Sequence, residues 1–491
     1  MKCSNAYGLS FTFLDNGSIR CIDMDPIRIS LKPASLFSYA GSNIYLRKNK
    51  PSRGFIPLLG PRSNSSFCTD DNQFIAKGEW EGIGYECSLR ISEKSCSWRW
   101  NIALLNHSKE PVELDLILVQ DVGLKSITSG LINEYYVSQY LERRILHDPV
   151  KGPVICCRQN MKEPTGNPWL MITCENGAIA ASTDGMDFYG KSYRQTGIPE
   201  GLYRDKLPGE SAGESSVVAL QERPSTLAGN GGQHQSRFYA TALRDHPVAT
   251  AVEDLNLIQG LQAEFKEAPP SALSAVFQPP STNLFNKAPF LNVEDLNNEE
   301  LEHFFGKIKR HVESDESHLL SFFTENGNHV VMRRKEVLVD RPHAHILQAQ
   351  CGFTPDDNIL SATAFAFGNF ISHLCQGNTN FNVLLSVCTS QFNLEPETGQ
   401  RIFVEWEGKQ FLLGIPSAFE TGLNHCRWIY KTAGHCFQVR SWTSKTSPMI
   451  MMDFKVLTGG KVNLLITHDF DRLNGWKIIT GEHAGEFVAV P

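Results

Sequence analysis

The most constraining feature of this chain is a strict alternation of apolar and polar residues in two neighbouring segments. Residues 98–102 (WRWNI) and 112–116 (VELDL) both alternate, and the polar segment 106–111 (NHSKEP) separates them. A period of two residues is typical of antiparallel strands with one buried face and one face toward solvent. The pattern therefore predicts half-buried antiparallel strands in both segments.

Strand-length runs with turn residues between them continue on both sides of this pair. Asn16-Gly17 separates residues 10–14 from residues 18–22, which is a strong hairpin signal. Further strands are predicted at 329–334 (HVVMRR) and 336–340 (EVLVD), and six more lie between residues 401 and 467. The expected fold is mainly β, with two large antiparallel β-sandwich domains.

The segment between the two β-rich regions has a different composition. Residues 249–266 have roughly helical spacing, and Pro269-Pro270 and Pro279-Pro280 follow. We predict an amino-terminal β-sandwich at 1–245, a helical and proline-rich linker at 246–317, and a second β-sandwich domain at 318–491. A chain of 491 residues is too long for a single core, which agrees with this division.

Charge and cysteine content exclude several classes of protein. The net charge is −7 and no basic stripe is present, so nucleic-acid binding is not expected. The sequence has no signal peptide core and no apolar run long enough for a membrane span, so we expect a cytoplasmic protein. The 13 cysteines include no CxxC pair, which predicts reduced, mostly buried thiols.

Several polar loops combine cations, hydroxyls and carboxamides with aromatic rings. Such groups can bond sugar hydroxyls or phosphate oxygens, and aromatic rings can stack on sugar rings. The alternative, that these are ordinary polar loops or sandwich-core tyrosines, stays open. The candidate binding residues are Arg62, Asn64, Ser65, Ser66, Tyr136, Gln139, Tyr140, Arg158, Gln159, Gln376, Asn378 and Asn380.

Motifs for catalysis or metal binding are weak or absent in the sequence. No GxGxxG after a strand, Walker loop, GxSxG or HExxH occurs. His343 and His345 could form a metal pair, but they have no nearby cysteine or third histidine, so a structural or hydrogen-bonding role is preferred and no metal is predicted. Acidic pairs such as Glu405 and Glu407 are better explained as solvated charge, so we assign no catalytic residue and no cofactor.

A set of longer strings resembles one enzyme family. They are residues 58–67 (LLGPRSNSSF), 77–85 (KGEWEGIGY), 137–140 (VSQY), 152–160 (GPVICCRQN), 169–171 (WLM), 181–193 (ASTDGMDFYGKSY), 219–224 (ALQERP), 319–324 (LLSFFT), 329–339 (HVVMRRKEVLV), 341–347 (RPHAHIL), 379–386 (TNFNVLLS), 400–405 (QRIFVE), 414–420 (GIPSAFE), 426–430 (CRWIY) and 439–442 (VRSW). Together they resemble the amino-terminal part of the 1,2-β-oligoglucan phosphorylases of glycoside hydrolase family 94, relatives of cellobiose phosphorylase and of cyclic β-1,2-glucan synthases.

The resemblance implies an architecture and a reaction. It implies supersandwich, galactose-mutarotase-like β-domains followed by a linker, an (α/α)6 barrel and a small β-domain, with a catalytic aspartate in the barrel. We expect that barrel to be absent from this chain, which would then be the non-catalytic half. With a barrel present, the implied reaction is inverting phosphorolysis of β-glucans to α-glucose 1-phosphate.

The implied partners are a β-glucan oligosaccharide, inorganic phosphate bound through the catalytic part, and either a second copy or a helical-barrel half. One alternative is a stand-alone carbohydrate-binding or scaffold module. Another is an independent enzyme that uses its own carboxylates, for which two inward carboxylates in a cleft would be needed.

Overall fold

Antiparallel β-strands make up most of the regular secondary structure in the computed structural model. The described part of the chain comprises residues 1–38, 41–69, 73–126, 134–265, 276–316, 318–348, 359–372, 374–376, 398–444, 447, 449–469, 477–480 and 487–490. It divides into unit 1 (Met1–Gly190 and Ile198–Asn286) and unit 2 (Lys191–Gly197 and Lys287–Pro491). The fold is mainly β, as the sequence predicts, whereas the exact predicted domain limits stay a prediction.

Unit 1 is built from three antiparallel sheets. Its strands are β1 (Lys2–Ser4), β2 (Leu9–Phe13), β3 (Ile19–Met24), β4 (Ile27–Arg28), β5 (Asn43–Lys50), β6 (Gly54–Pro57), β7 (Ser65–Thr69), β8 (Gln73–Trp80), β9 (Ile83–Ile91), β10 (Ser97–Asn106), β11 (Val112–Asp121), β12 (Lys125–Ser126), β13 (Leu141–Asp148), β14 (Gly152–Gln159), β15 (Trp169–Cys174), β16 (Ala178–Ser182), β17 (Val217–Glu222), β18 (Ser225–Leu227) and β19 (Gln233–Leu243). The sheet orders are β1-β2-β3-β4-β12, β13-β14-β15-β19-β10-β9-β8-β7 and β16-β17-β11-β5-β6, with β18 also paired to β11.

The alternation in residues 98–102 correctly predicts which side chains of β10 enter the core of unit 1. In β11, by contrast, Asp115 is buried as well, so the predicted half-burial of residues 112–116 is wrong there. Trp98, Trp100 and Ile102 of β10 are buried, and Arg99 and Asn101 between them are half-buried. One apolar cluster joins these residues to the inner faces of the other two sheets, through side chains such as Phe11 and Leu116. The hairpin at Asn16-Gly17 is also confirmed, because β2 and β3 pair across it.

Unit 2 contains the remaining strands and a second core. Its strands are β20 (Lys309–Asp315), β21 (His318–Thr324), β22 (His329–Met332), β23 (Ala344–Gln348), β24 (Leu360–Phe365), β25 (Leu374–Gln376), β26 (Gln400–Trp406), β27 (Lys409–Leu412), β28 (Ala418–Gly422), β29 (His425–Lys431), β30 (Cys436–Thr443), β31 (Ile450–Thr458), β32 (Asn463–His468), β33 (Lys477–Thr480) and β34 (Phe487–Val490). The sheet orders are β20-β21-β22-β28-β29-β30-β31, β23-β24-β25, β27-β26-β32 and β33-β34. Trp428 and Val439 of the seven-stranded sheet share one apolar cluster with Ala364 of β24 and Val404 of β26.

The described helices are short. They are α1 (Glu134–Gln139), α2 (Gly185–Tyr189), α3 (Tyr193–Thr196), α4 (Leu257–Ala263), α5 (Leu284–Lys287), α6 (Asn298–Phe305) and α7 (Arg333–Leu338), with 3-10 helices at Glu200–Tyr203 and Val252–Asn256. Helix α4 confirms the helical spacing predicted in the linker, and its Ile258 and Leu261 pack against Trp169 and Tyr239 of the eight-stranded sheet. None of the described helices has the length and apolar character needed to cross a membrane.

One predicted strand is wrong. Residues 336–340 were expected to be extended, but α7 covers Arg333–Leu338 and begins directly after β22. The run Arg333-Arg334-Lys335-Glu336 consists of good helix formers, and a short apolar run after it cannot by itself distinguish a strand from a helix. The change turns Glu336 inward, where it is buried.

Candidate functional site

The first predicted binding loop is a turn that leads into the edge strand β7. Ser65 is buried, and its hydroxyl donates to the Leu58 carbonyl at 2.7 Å and lies 2.9 Å from the Tyr85 hydroxyl. Asn64 is exposed and its amide donates to the Glu79 carbonyl at 3.1 Å. The Ser65 hydroxyl is therefore committed to the interior, whereas Asn64 faces solvent.

Arg62 and Ser66 in the same loop are half-buried. Burial raises the pKa of Tyr45, and the Arg62 guanidinium partly opposes that rise. The Arg62 cation thus lies near the Tyr45 phenol at the margin of unit 1. Ser66 lies opposite Lys77 in the β7–β8 ladder.

The second predicted group lies around the end of β14. The Arg158 guanidinium donates from Nε to the His246 carbonyl at 2.8 Å and from one terminal nitrogen to Asn160 Oδ1 at 2.6 Å. Gln159 is fully buried and donates to the Gly123 carbonyl at 3.2 Å. Both side chains fasten neighbouring chain segments inside unit 1.

Gln139 and Tyr140 are exposed beside this group. The backbone N–H of Asn160 donates to the Tyr140 carbonyl at 3.0 Å, which brings the end of β14 next to the end of α1. Tyr136 also lies in α1, but its side chain is outside the described part of the structure. Of this group, Gln139 and Tyr140 present their side chains to solvent.

The two groups lie at opposite edges of one sheet. β7 is the last strand of the eight-stranded sheet and β13-β14 are the first two. Seven strand spacings of about 4.8 Å separate the two edges, or roughly 33 Å along the sheet. The predicted residues of unit 1 therefore form two separate surfaces rather than one site.

The third predicted group lies largely outside the described residues. Gln376 is the last residue of β25, and its side chain is not described. Asn378 and Asn380 lie outside the described residues. A binding role for all twelve candidate residues stays a prediction.

Sequence reasoning missed a buried cluster of charged groups in unit 2. The Glu336 carboxylate accepts the backbone N–H of His343 at 3.1 Å and pairs with its Nδ1 at 2.7 Å. The Arg194 Nη1 lies 3.8 Å from the other carboxylate oxygen, and both side chains are 2% exposed. A buried carboxylate on Nδ1 orients an imidazole, so His343 is held as a group that could move a proton through Nε2.

A second histidine lies next to this cluster. The His329 ring stacks on Phe323 at 4.7 Å between centroids and lies 6.3 Å from the His343 ring. Burial lowers the pKa of His329, and the neighbouring Lys335 ammonium and His343 imidazole lower it further. His329 is therefore uncharged near neutral pH.

Of the Arg194, Glu336 and His343 cluster, only His343 could be recognised from the sequence. His343 stood out in the sequence beside His345, but its partner is Glu336 and not a metal ligand. In the described ranges, no three His, Cys, Asp or Glu side chains are arranged to hold a metal ion. Glu336 was missed because its segment was predicted as a strand, and Arg194 because it is remote in sequence.

The adjacent cysteines of β14 are structural. Cys156 and Cys157 are both free and buried. Burial raises the pKa of Cys157 to about 12 and raises that of Cys156 well above its usual value. Thiols held in the protonated form are poor nucleophiles, so this pair carries no chemistry.

Two protein-family models match the chain in succession. The SOGP N-terminal domain matches residues 12–240, and the glycoside phosphorylase supersandwich domain matches residues 305–474. A curated relative, the 1,2-beta-oligoglucan phosphorylase of Listeria innocua serovar 6a, is 27% identical over 465 residues. That match covers 94% of this chain but only 41% of the relative, so the chain spans less than half of the relative's length.

Solved structures give weaker likenesses. A polysaccharide lyase has a TM-score of 0.32 at 6% identity and covers 92% of this chain and 47% of its own. A galactose mutarotase-like protein from Lactobacillus casei ATCC 334 has a TM-score of 0.26 at 8% identity and covers 50% of this chain and 99% of its own. Such scores carry no functional argument, whereas the two family models and the curated relative agree with each other. The chain is therefore a relative of the amino-terminal β-sandwich half of the 1,2-β-oligoglucan phosphorylases.

Proposed function

We propose that this chain is the non-catalytic amino-terminal half of a 1,2-β-oligoglucan phosphorylase-like protein of glycoside hydrolase family 94. The observation that carries the proposal is the succession of the two family models, the first over residues 12–240 and the second over 305–474. The catalytic helical barrel would come from further polypeptide or from a separate chain.

In the proposed reaction, the aspartate of that barrel protonates the glycosidic oxygen while inorganic phosphate attacks the anomeric carbon. The carbon–oxygen bond to the leaving sugar breaks as the bond to phosphate forms, with inversion. The products are α-glucose 1-phosphate and a glucan shortened by one unit. The β-1,2-glucan and phosphate are the proposed substrates.

Three of the buried carboxylates support a structural role for this half. Asp115 pairs with Arg47, Glu163 with Lys125, and Glu420 with Arg427. A general acid or base needs a carboxyl that is open to the substrate. These three carboxylates are instead committed to ion pairs within their own unit.

The test is an assay of phosphorolysis by reconstitution. The 491-residue protein is mixed with β-1,2-glucooligosaccharides and phosphate, and glucose 1-phosphate is measured. We expect no product from the chain alone and product once the helical catalytic part of the Listeria innocua relative is added. That catalytic part alone is the control, and its rate must rise at least severalfold on addition of this chain.

Either of two results would overturn the proposal. Turnover by the chain alone would mean that the catalytic acid lies within these residues. No gain of activity and no complex with the catalytic part would favour a stand-alone carbohydrate-binding module, a reading that the exposed Gln139 and Tyr140 side chains also suit.

We further propose that the chain works in the cytoplasm as a homodimer or in complex with the barrel half. The free and mostly buried cysteines of the described residues suit a reducing compartment. Size-exclusion chromatography with light scattering, with and without the catalytic part, measures the assembly directly. A monomer under both conditions would contradict both forms of assembly.

A further inference from the structure

Unit 1 displays an exposed aromatic ring, with a second, half-buried ring packed against it. Tyr203 ends the 3-10 helix Glu200–Tyr203 and is 56% exposed. Its ring meets the half-buried Phe55 ring of β6 edge-on, with centroids 5.2 Å apart and planes at 86°. The neighbouring Leu202 and Leu207 point inward and are buried, so the segment attaches to unit 1 without using the Tyr203 ring.

Two arginines fix the backbone of this segment. Arg47 donates through one terminal nitrogen to the carbonyls of Leu202 at 3.4 Å and Arg204 at 2.5 Å. Arg53 donates to the carbonyl of Tyr203 between them. Three successive carbonyls are therefore held from β5 and from the loop before β6. A ring displayed on such a fastened turn loses little freedom on binding a ligand.

Groups able to bond hydroxyls surround the two rings. Arg53 also pairs with Asp205 at 2.5 Å, and this hydrogen bond lowers the pKa of the Asp205 carboxyl, which stays ionised. Arg204 and Lys206 are exposed on either side of Asp205. An aromatic centre with a rim of donors and acceptors matches a sugar ring, which has an apolar C–H face and a hydroxyl edge.

From this arrangement we propose that Tyr203 and Phe55, with the Arg53–Asp205 pair, form a non-catalytic binding surface for a neutral oligosaccharide. The ligand class, a β-linked glucan chain, rests on the proposed function. The Tyr203 ring stacks on one sugar unit, and Arg53 and Asp205 bond the hydroxyls of that unit or the next. None of these four residues is among the candidates predicted from the sequence.

Direct binding to the isolated 491-residue protein tests the surface without any catalytic part. Isothermal titration with a β-1,2-glucooligosaccharide measures the dissociation constant of the wild type and of Tyr203→Ala. Loss of one stacking ring is expected to weaken binding about tenfold. Tyr203→Phe keeps the ring and should bind within about twofold of the wild type.

The matched control is Tyr7→Ala, which removes a tyrosine that is 49% exposed elsewhere in unit 1. This variant should bind like the wild type. Circular dichroism melting checks that each variant stays folded.

Two outcomes would overturn the proposal that this surface binds glucan. One is a wild type that binds no glucan at millimolar concentration, and the other is equal affinity for Tyr203→Ala and the wild type. Neither outcome affects the reconstitution assay, so the binding-surface proposal can be rejected while the proposed phosphorylase role stands. Conversely, Tyr203→Ala could abolish glucan binding while the reconstituted mixture shows no turnover. That result would support the binding surface and reject the phosphorylase role.

Discussion

In the described part of each unit an arginine and a carboxylate are buried together, and the two pairs are hydrogen-bonded to different degrees. In unit 1, Arg47 and Asp115 are 1% and 0% exposed and meet through two hydrogen bonds of 2.9 and 2.6 Å. In unit 2, Arg194 and Glu336 are equally buried, but their nearest atoms are 3.8 Å apart.

The further hydrogen bonds around each pair also differ between the two units. Gln221 donates to Asp115 at 3.0 Å, and the remaining donor capacity of Arg47 goes to backbone carbonyls. In unit 2, Nε and Nη1 of Arg194 and Oε1 of Glu336 are buried without a hydrogen-bond partner. Burying a charge costs free energy unless its polar atoms form hydrogen bonds. The pair in unit 1 should therefore contribute more to stability than the pair in unit 2, which leaves three buried polar atoms without a hydrogen bond.

The largest effect is expected from Arg47→Met. The substitution leaves Asp115 buried with only Gln221 as a side-chain partner, which should lower the free energy of unfolding of unit 1 by about 3–5 kcal/mol. Hydrogen exchange of peptides from β5 and β11, read by mass spectrometry, measures the loss locally. Peptides from unit 2 serve as the internal control.

A double substitution sharpens this prediction. Arg47→Met combined with Asp115→Leu removes both charges, and replacing a whole buried pair with apolar side chains is often neutral. The double variant should therefore recover most of the protection lost in Arg47→Met. If it is as unprotected as the single variant, packing rather than an uncompensated charge is the cause.

A smaller effect is expected from Arg194→Met in unit 2. Glu336 keeps its bonds to His343, and the lost pair is long, so the free energy of unfolding should fall by about 1–2 kcal/mol. The same exchange experiment on peptides from β22 and α7 measures it. A loss as large as that in Arg47→Met would contradict the conclusion that the unit 1 pair contributes more to stability than the unit 2 pair.

The smallest effect concerns pH and His329. Its pKa is lowered by burial, Lys335 and His343, and Glu313 opposes them. As the pH falls below the unfolded pKa of about 6.5, the unfolded chain gains a proton that the folded imidazole resists, so stability is present above that pH and decreases below it.

His329→Gln should remove this contribution. The melting temperature of the wild type should fall more between pH 7.5 and 5.5 than that of the variant, by about 2 °C for a unit of this size. Scanning fluorimetry at the two pH values measures the difference. Equal losses in both proteins would mean that other groups govern the acid sensitivity of unit 2.

Local patterns predicted the parts of the fold that local physics controls. The alternation in residues 98–102 predicted which side chains of β10 enter the core, and Asn16-Gly17 predicted the β2–β3 hairpin. Long strings of residues also revealed the family, which the two domain models then supported. Each of these signals lies within a few neighbouring residues.

Other features depended on segments that are distant in sequence. Residues 112–116 were predicted to be half-buried, but the chain around Leu202 and Gln221 covers Asp115 and Arg47 neutralises its charge. Ser65, Arg158 and Gln159 were chosen for their hydrogen-bonding groups, and the fold commits those groups to internal partners.

The sequence by itself determined that this chain is mainly β, where its first strands turn, and which family it resembles, because periodicity and turn chemistry act over a few residues. Only the tertiary structure decided which polar side chains stay in water. Burial and charge pairing depend on what packs against a strand, as Arg47 does on Asp115 and Arg194 does on Glu336. The exposed ring of Tyr203 is likewise a result of how distant arginines fasten its turn.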